Sequence, residues 1–407
     1  MPDHRGTIAK PSPTQTRQSS PLSISPSPQF VVKVTKYCNL RCDYCYEFPH
    51  LGDKSRMGLE QLRLLFENIK RSIAELAVED INFIWHGGEP LLVPLEFYEQ
   101  LALIEKDVFG SQFSCKNTIQ TNLTVLTARH IKFLREGFFD DIGVSFDVYG
   151  DQRIDTSGKS RTNAVRANMQ TLLDNQIEFA AIAVLTKVTL SYVRHIYRFF
   201  DELNLHHRIL AFYKSADRAQ AQRHGLDFDE LVGAYKEIFH EWLASERATC
   251  VDPIDDYLHY AVRYVTGQNN DRYDRSKSDR VFIIDVNGDV FNNIESYERE
   301  FCYGNLFRSS LSELMASDAR GRSIALSENR MQHFCQRCPY FGSCPGSFVA
   351  DATDVERKML QAHGCPVRAL LDHIIDVFQR TDLQELLLKT YKPASASAKE
   401  NSALNVA

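Results

Sequence analysis

The sequence predicts an α/β fold, in which a partial (β/α)6 barrel is followed by a cysteine-rich C-terminal domain. Between residues 30 and 212, short apolar segments alternate with amphipathic segments, as in a parallel sheet with right-handed crossovers. Six such units in about 185 residues fit an open, partial barrel. Polar and cysteine motifs directly follow the apolar segments, and barrels of this kind carry their functional residues at the carboxyl ends of the strands.

The predicted strands are short and mostly apolar, and they lie at residues 30–34, 81–85, 117–122, 142–146, 179–185 and 208–212. The predicted helices between them cover residues 57–76, 95–108, 127–136, 163–175 and 190–203. Residues 216–280 lose the alternation, which predicts a helical linker that carries no chemistry. An Asn-Gly-Asp turn at 287–289 predicts a β-hairpin over 280–291, and a helix over about 366–391 closes the predicted fold.

These patterns predict five segments of the 407-residue chain. They are a disordered tail rich in Ser, Pro and Thr (1–28), the barrel (29–215), the linker (216–280) and the cysteine-rich domain (281–378). A C-terminal helix end with a second disordered tail follows (379–407). The formal charge of −6 argues against bulk binding of nucleic acid. The sequence lacks both an apolar run of 18 residues and an apolar signal segment, so we expect a cytoplasmic protein without a membrane span.

Three cysteines directly follow the first predicted strand. Cys38, Cys42 and Cys45 form the pattern C-x3-C-x2-C, and thiolates select iron–sulfur clusters, zinc or copper(I). Because a 4Fe–4S cluster usually takes four cysteines, three local ones leave one iron open to a small molecule. A zinc knuckle or three structural cysteines are the alternatives, although zinc sites more often pair two C-x2-C knuckles or add histidines.

This stretch, with Tyr44 directly before the third cysteine, resembles the signature of the radical S-adenosylmethionine (SAM) enzymes. The resemblance implies a 4Fe–4S cluster on the three cysteines and SAM chelated to the open iron through its amino and carboxylate groups. It also implies that one electron from the cluster splits SAM and yields a 5′-deoxyadenosyl radical. The core fold of that family is a partial barrel of the kind predicted above.

Companion motifs follow the second and third predicted strands. Gly87 and Gly88 allow a ligand to approach the backbone, and the Glu89 carboxylate can accept from an ammonium group, although a turn before a helix explains them equally simply. They resemble the GGE motif of the family, which binds the SAM amino group. Asn122 ends the third strand and can contact SAM or substrate, or terminate the strand. Leu123 replaces the glycine that many relatives carry.

Ser145 and Asp147 end the fourth predicted strand and resemble the Ser-x-Asp-Gly motif of the family, with Val148 in place of glycine. The resemblance implies hydrogen bonds to the ribose hydroxyls of SAM, and helix capping by Asp147 is the alternative. Arg153 and Arg161 lie downstream, where each can meet the SAM carboxylate or remain solvated.

A second set comprises four cysteines in the pattern C-x2-C-x5-C followed by a distant cysteine: Cys335, Cys338, Cys344 and Cys365. Alone, this pattern is also that of a zinc ribbon. Behind a radical SAM core it resembles the SPASM extension, which binds auxiliary 4Fe–4S clusters. The full family pattern expects further cysteines near positions where this chain has Asn292 or Asn293, Ser309 and Phe348. We therefore expect one auxiliary 4Fe–4S cluster rather than two.

The remaining cysteines carry no such pattern. Cys302 is expected to be an unpaired thiol or a stray ligand, and Cys115 and Cys250 are expected to be ordinary buried cysteines.

The resemblance covers about residues 30–378 and implies an enzyme that modifies a ribosomally synthesised peptide. The predicted reaction is an intramolecular cross-link of the cyclophane type, initiated by hydrogen abstraction. Asp285 and Asp289 are candidate proton acceptors. The alternatives are an anaerobic sulfatase-maturing enzyme that forms formylglycine, which the missing cysteines disfavour, and a non-catalytic metal-binding scaffold.

The expected partners are a precursor peptide and an electron donor, either a reductase or a flavodoxin or ferredoxin. Only 37 residues precede Cys38, which is short for a fused peptide-recognition domain. The substrate leader is therefore expected to dock on the barrel, on the linker or on a separate leader-recognition protein.

Overall fold

The computed structural model describes residues 27–74, 78, 80–212, 218–274, 281–292, 298–346, 354–381 and 389. Nearly all of the predicted tails at 1–28 and 379–407 lies outside these residues, as do Asn293 and Phe348.

The described strands form one ten-stranded sheet, and its parallel part confirms the α/β prediction. Seven parallel strands follow one another in chain order: β1 (Gln29–Thr35), β2 (Asp80–Gly87), β3 (Ser114–Thr121), β4 (Asp141–Ser145), β5 (Ala180–Leu185), β6 (His207–Ala211) and β7 (Val251–Asp252). Alternate side chains of β1 divide between its two faces, with Phe30, Val32 and Val34 in the main core and Val31 in a smaller cluster.

Five helices connect the first six strands: α1 (Leu59–Ile73), α2 (Leu95–Phe109), α3 (Ala128–Arg135), α4 (Thr162–Asp174) and α5 (Val193–Glu202). Each buries an apolar face, as α1 does with Leu62, Leu65 and Ile69. Their bounds lie within a few residues of the predicted ones because helical periodicity is a local property of the sequence.

Residues 216–280 are more than a helical linker. They contain α6 (Arg218–His224), α7 (Phe228–Ala244) and α8 (Ile254–Val265), and they also contribute β7, which pairs in parallel with β6. Two residues are too short a strand to show a periodic pattern, so β7 was not predicted.

The predicted hairpin is confirmed, and it joins the main sheet. β8 (Val281–Ile284) pairs antiparallel with β9 (Asp289–Asn292) and parallel with β1, and β10 (Gly304–Asn305) extends the edge. The sheet therefore continues across the predicted boundary at residue 281, which stays a prediction. The Lys36 ammonium lies 2.9 Å from an Asp285 carboxylate oxygen, so an ion pair also links the end of β1 to the hairpin turn.

The C-terminal part is mainly helical, with α9 (Leu311–Met315), α10 (Asp318–Arg330), a π-helical turn (Met331–Cys335), α11 (Asp354–His363) and α12 (Pro366–Arg380). α12 packs against α7 and α8, so the end of the described chain returns to the segment after the barrel. Among the described residues, no helix has the length and apolarity needed to cross a membrane.

Candidate active site

The cysteine loop leaves the carboxyl end of β1 and packs into a small apolar cluster. Cys38 and Cys42 are buried and Cys45 is half-buried, and Leu51 and Phe212 pack with them. Backbone hydrogen bonds from Cys38 to Leu51 (3.1 Å) and from Cys45 to Cys42 (3.0 Å) fix the turn. The structure therefore brings the three predicted ligands to one strand end, away from bulk water.

The thiols of each cysteine set are not gathered as closely as the ligands of one tetrahedral zinc ion. A tetrahedral zinc ion with Zn–S bonds of about 2.3 Å holds its sulfurs about 3.8 Å apart. Within the described residues, neither cysteine set brings three sulfurs within 4.8 Å of one another. A 4Fe–4S cluster needs wider spacing, because each cysteine binds a different iron. Burial raises the pKa of Cys38 to about 11 and that of Cys45 to about 12, so metal must displace their protons.

A buried network of polar side chains holds the loop against β4 and β5. The Tyr44 hydroxyl donates to Asp147, whose Oδ2 also lies 3.0 Å from Nε of Arg153. The other Asp147 oxygen accepts from the backbone N–H of Val184 at 2.9 Å. Asp147 thus joins the aromatic residue of the cysteine motif to a buried arginine and caps no helix, which makes the capping alternative wrong.

The Arg153 guanidinium places a positive charge beside the thiols. Burial alone lowers its pKa, but the Asp147 carboxylate and Tyr44 outweigh that effect and raise the pKa above its usual value. The pKa of Cys42 rises through burial, and the neighbouring Arg153 opposes that rise. The arginine therefore stabilises negative charge on the cysteine loop.

The two glycines of the GGE motif leave room for another segment of the same chain, which passes close to their backbone. A Cβ atom on Gly88 would overlap the backbone of Lys36 and Tyr37, and one on Gly87 would overlap the Thr35 carbonyl. The Gly88 N–H donates to that carbonyl at 2.8 Å. The glycines therefore let the backbone that leads into the cysteine loop approach closely, and the prediction that they also admit a ligand stays a prediction.

Glu89 is fully buried and satisfied by donors of this chain. Its Oε1 accepts from the Leu91 N–H (2.8 Å) and the Thr121 hydroxyl (2.7 Å), and its Oε2 accepts from the Asn122 N–H (2.6 Å). Burial raises the pKa of Glu89 to about 7, and the Thr121 hydrogen bond opposes that rise. Glu89 thereby fixes the carboxyl end of β3, and its predicted contact with SAM stays a prediction.

Asn122 lies directly beside the first cysteine. Its Nδ2 lies 3.6 Å from the Cys38 sulfur and 3.1 Å from Asn39 Oδ1, and its Oδ1 accepts from the Thr124 hydroxyl at 2.6 Å. The next residue, Leu123, has a φ of +52°, a conformation that favours glycine. The leucine that replaces the family glycine therefore keeps the glycine-like backbone.

Ser145 lies at the end of β4, where its hydroxyl accepts from Gln120 Nε2 at 2.8 Å. Gly143 makes this contact possible, because a Cβ atom there would overlap the Gln120 side chain. Ser145 is half-buried, and its predicted contact with the SAM ribose is untested.

The sequence indicates that this region is helical but not that α6 packs on the cysteine loop. Gln220 Nε2 donates to the carbonyls of Asp43 (2.7 Å) and Cys45 (3.1 Å), and Arg223 pairs with the Asp43 carboxylate at 2.8 Å. The ring of His224 packs edge-on against Tyr44. This helix therefore positions the cysteine loop through contacts that span more than 170 residues of chain, and the absence of chemistry in residues 216–280 stays a prediction.

A second unpredicted group lies near the first two strands. Lys33 on β1 forms a buried ion pair with Glu47, which follows the cysteine loop. Burial and the Lys33 charge lower the pKa of His86 to about 4, so this imidazole is neutral at physiological pH.

The second cysteine set lines one cavity of about 310 Å³ at the C-terminal helices. Its members are Cys335, Cys338, Cys344 and Cys365. The buried Arg330 donates from Nη1 to the Cys335 sulfur at 3.3 Å and from Nη2 to the Gly346 carbonyl at 2.5 Å. Four thiols and a cation around one cavity fit an auxiliary 4Fe–4S cluster.

The other candidate residues lie elsewhere. The Cys302 thiol donates to the Gly304 carbonyl at 3.6 Å. Among the described residues, Cys302 is not one of those that line the auxiliary cavity. Arg161 is partly exposed and lies 3.9 Å from Asp155. Arg299 forms an ion pair with Asp289 and helps to lower its pKa against the effect of burial, which disfavours Asp289 as a proton acceptor.

Comparisons with known proteins agree with this geometry. The family model described as the Radical SAM superfamily matches residues 32–200. The serine-type anaerobic sulfatase-maturating enzyme of Bacteroides thetaiotaomicron is 25% identical over 340 residues, which are 78% of this chain and 81% of that protein. The cysteine-type enzyme of Clostridium novyi is 24% identical over 75% of this chain and 83% of its own length.

Solved structures share the fold. Native anSMEcpe with bound AdoMet and Cp18Cys peptide superposes with a TM-score of 0.69 at 19% identity, covering 90% of this chain and 99% of that one. Streptococcus suis SuiB bound to S-adenosylmethionine gives a TM-score of 0.55 at 14% identity, covering 80% of this chain and 73% of SuiB. The family match and the two cysteine sets fit SAM and 4Fe–4S clusters as cofactors. Residues 32–200 therefore match the Radical SAM superfamily.

Proposed function

We propose that this chain is a radical SAM enzyme that removes two hydrogen atoms from a peptide or protein substrate. The observation that carries this proposal is the buried set of three thiols with Arg153 and Tyr44 beside it, at the carboxyl ends of the strands. Support for a peptidic substrate comes from the names of the relatives, which are sulfatase-maturating enzymes, and from the peptide bound to anSMEcpe.

When bound, a 4Fe–4S cluster and SAM supply hydrogen-atom abstraction from an unactivated carbon. The residues of this chain prepare the site for that chemistry. Leu40, Leu51 and Phe212 keep water from the cysteine loop, and Arg153 offsets the negative charge of its thiolates. The proposed SAM contacts lie on the strand ends around the cysteine loop and are Gly87, Gly88, Glu89, Asn122 and Ser145.

The finer reaction that we propose is an intramolecular cross-link, formed when the substrate radical couples to a neighbouring group. The auxiliary site supports this reaction. Its four cysteines can ligate all four irons of one cluster, so they leave none open to substrate and fit a role in accepting an electron. Asn292 and Ser309 occupy positions where a second auxiliary site would need cysteines.

A second candidate is formylglycine formation, and the sulfatase-maturating relatives favour it because they span most of this chain. Oxidation of serine to formylglycine also removes two hydrogen atoms, so the mass change alone does not separate it from a cross-link. The aldehyde does, because it forms a hydrazone and a cross-link does not.

The first test is SAM cleavage by the anaerobically reconstituted, reduced protein, with the three cysteines changed to alanine in one variant and Cys115→Ala as the control. We expect 5′-deoxyadenosine from the wild type and from the control only. Metal binding without 5′-deoxyadenosine would show a non-catalytic scaffold and overturn the proposal.

The second test is co-expression with short open reading frames encoded nearby, or with sulfatase peptides, followed by mass spectrometry with and without a hydrazide probe. Three observations together support the cross-link. The product is lighter by two hydrogens, it forms no hydrazone, and its fragmentation spectrum lacks backbone cleavage between the two linked residues. A hydrazone identifies formylglycine. The precursor peptide, the electron donor and a separate leader-recognition protein stay predicted partners.

A further inference from the structure

Three metal-ligating side chains meet at the amino ends of β6 and β7, the opposite end of the sheet from the cysteine loop. His206 directly precedes β6, Cys250 directly precedes β7, and Asp252 is the last residue of β7. One ligand atom of each lies within 4.8 Å of the other two, and this is the one such group among the described residues. We propose that His206, Cys250 and Asp252 bind a zinc ion.

Strand pairing fixes these positions. The N–H of His207 donates to the Cys250 carbonyl at 3.2 Å, and Arg208 on β6 is paired with Asp252 on β7. The three side chains therefore project from two neighbouring strand ends whose separation the sheet sets. A site of this kind exists before the metal binds, which lowers the cost of ordering its ligands.

The His206 ring has a nitrogen that the protein leaves unused. Its Nε2 is buried and lies 3.6 Å from Asp252 Oδ2, beyond hydrogen-bond distance, with no hydrogen-bond partner in the described part of the chain. A buried ring nitrogen without a partner is costly, and a metal ion between it and the carboxylate would satisfy both. This second observation distinguishes the group from an ordinary buried cysteine beside an ion pair.

The donor set selects zinc. Imidazole nitrogen, thiolate and carboxylate are the three donor types that zinc takes in proteins, whereas magnesium and calcium prefer oxygen alone. A zinc ion also balances the charge, because its two positive charges match one thiolate and one carboxylate. The Arg208 guanidinium lies 3.4 Å from Asp252 and is also attracted to Asp256.

Outer contacts prepare the thiol for the metal. The Asp255 carboxylate lies beside the Cys250 thiol, and His259 Nδ1 lies 3.4 Å from Asp255 Oδ2. Because the site lies at the far end of the strands from the cysteine loop, its proposed role is to fasten β6 to β7, which differs from the predicted role of Cys250 as an ordinary buried cysteine.

Zinc content and coordination test the proposal on the reconstituted holoenzyme, independently of SAM cleavage or peptide modification. After incubation with one equivalent of Zn²⁺ and removal of loosely bound metal, we expect about one zinc per chain. X-ray absorption at the zinc edge should show a single sulfur at about 2.3 Å and nitrogen or oxygen neighbours at about 2.0–2.2 Å. His206→Gln and Cys250→Ala should each lose this zinc and keep their iron, while the matched control Cys115→Ala should keep both.

Asp255→Asn tests the outer contact, and we expect its zinc affinity to fall by about 10–100-fold. A first shell of four sulfurs would place the zinc on the cysteines of the auxiliary cavity and overturn the proposal. Zinc that both variants retain, or a wild type that retains none, would overturn it equally. The wild-type spectrum decides the question even if a variant fails to fold.

Discussion

Replacing Arg153 by methionine tests whether a buried charge network holds the cysteine loop. The guanidinium lies 3.0 Å from the Asp147 carboxylate, and the two side chains are only 7% and 1% exposed. Methionine keeps an unbranched apolar stem but leaves the carboxylate without its cation, and breaking a buried ion pair in this way costs about 3–5 kcal/mol. The Tyr44 hydroxyl and the Val184 N–H remain as donors, so we expect a loss of about 3 kcal/mol.

The assay is the free energy of unfolding, measured by urea denaturation under anaerobic conditions. Arg161→Met is the matched control, because Arg161 is 36% exposed and lies 3.9 Å from Asp155, and exposed ion pairs contribute only about 0–1 kcal/mol. Adding Asp147→Asn to Arg153→Met should restore at least about 1 kcal/mol, since the uncompensated charge is gone. If Arg153→Met costs no more than the control, the network does not stabilise the loop.

Three further substitutions test other contacts. Burial raises the pKa of Glu105 to about 7, so the folded state loses stability as the pH rises from about 4.5 to 7. Glu105→Gln should remove that fall and gain about 2 kcal/mol at pH 8 relative to pH 5, measured by urea unfolding; an unchanged pH dependence would contradict this. Gly88→Ala should abolish 5′-deoxyadenosine formation because its methyl group overlaps the Tyr37 backbone, whereas Gly233→Ala, with open space around it, should not. Gln220→Ala should reduce the iron retained after chelator treatment, because α6 then loses its hydrogen bonds to the cysteine loop; full retention would mean that α6 does not fasten the loop.

The sequence by itself determined the local features of this protein. The periods of its apolar residues gave the first six strands and the helices between them, because strand and helix periodicity are read within a few turns of chain. The spacing of Cys38, Cys42 and Cys45 was equally informative, since residues on one short loop must lie close together. The four later cysteines are farther apart in the sequence. That they line one cavity could therefore be seen only in the folded structure.

Only the tertiary structure decided which distant residues meet. Asp147 reaches Tyr44 across 103 positions, α6 covers a loop more than 170 residues before it, and β8 pairs with β1. The sequence showed glycines at 87 and 88 but not that the approaching backbone is that of the chain itself. It also offered no reason to connect His206 with Cys250. Such contacts follow from strand order and register, which no local pattern of residue types encodes.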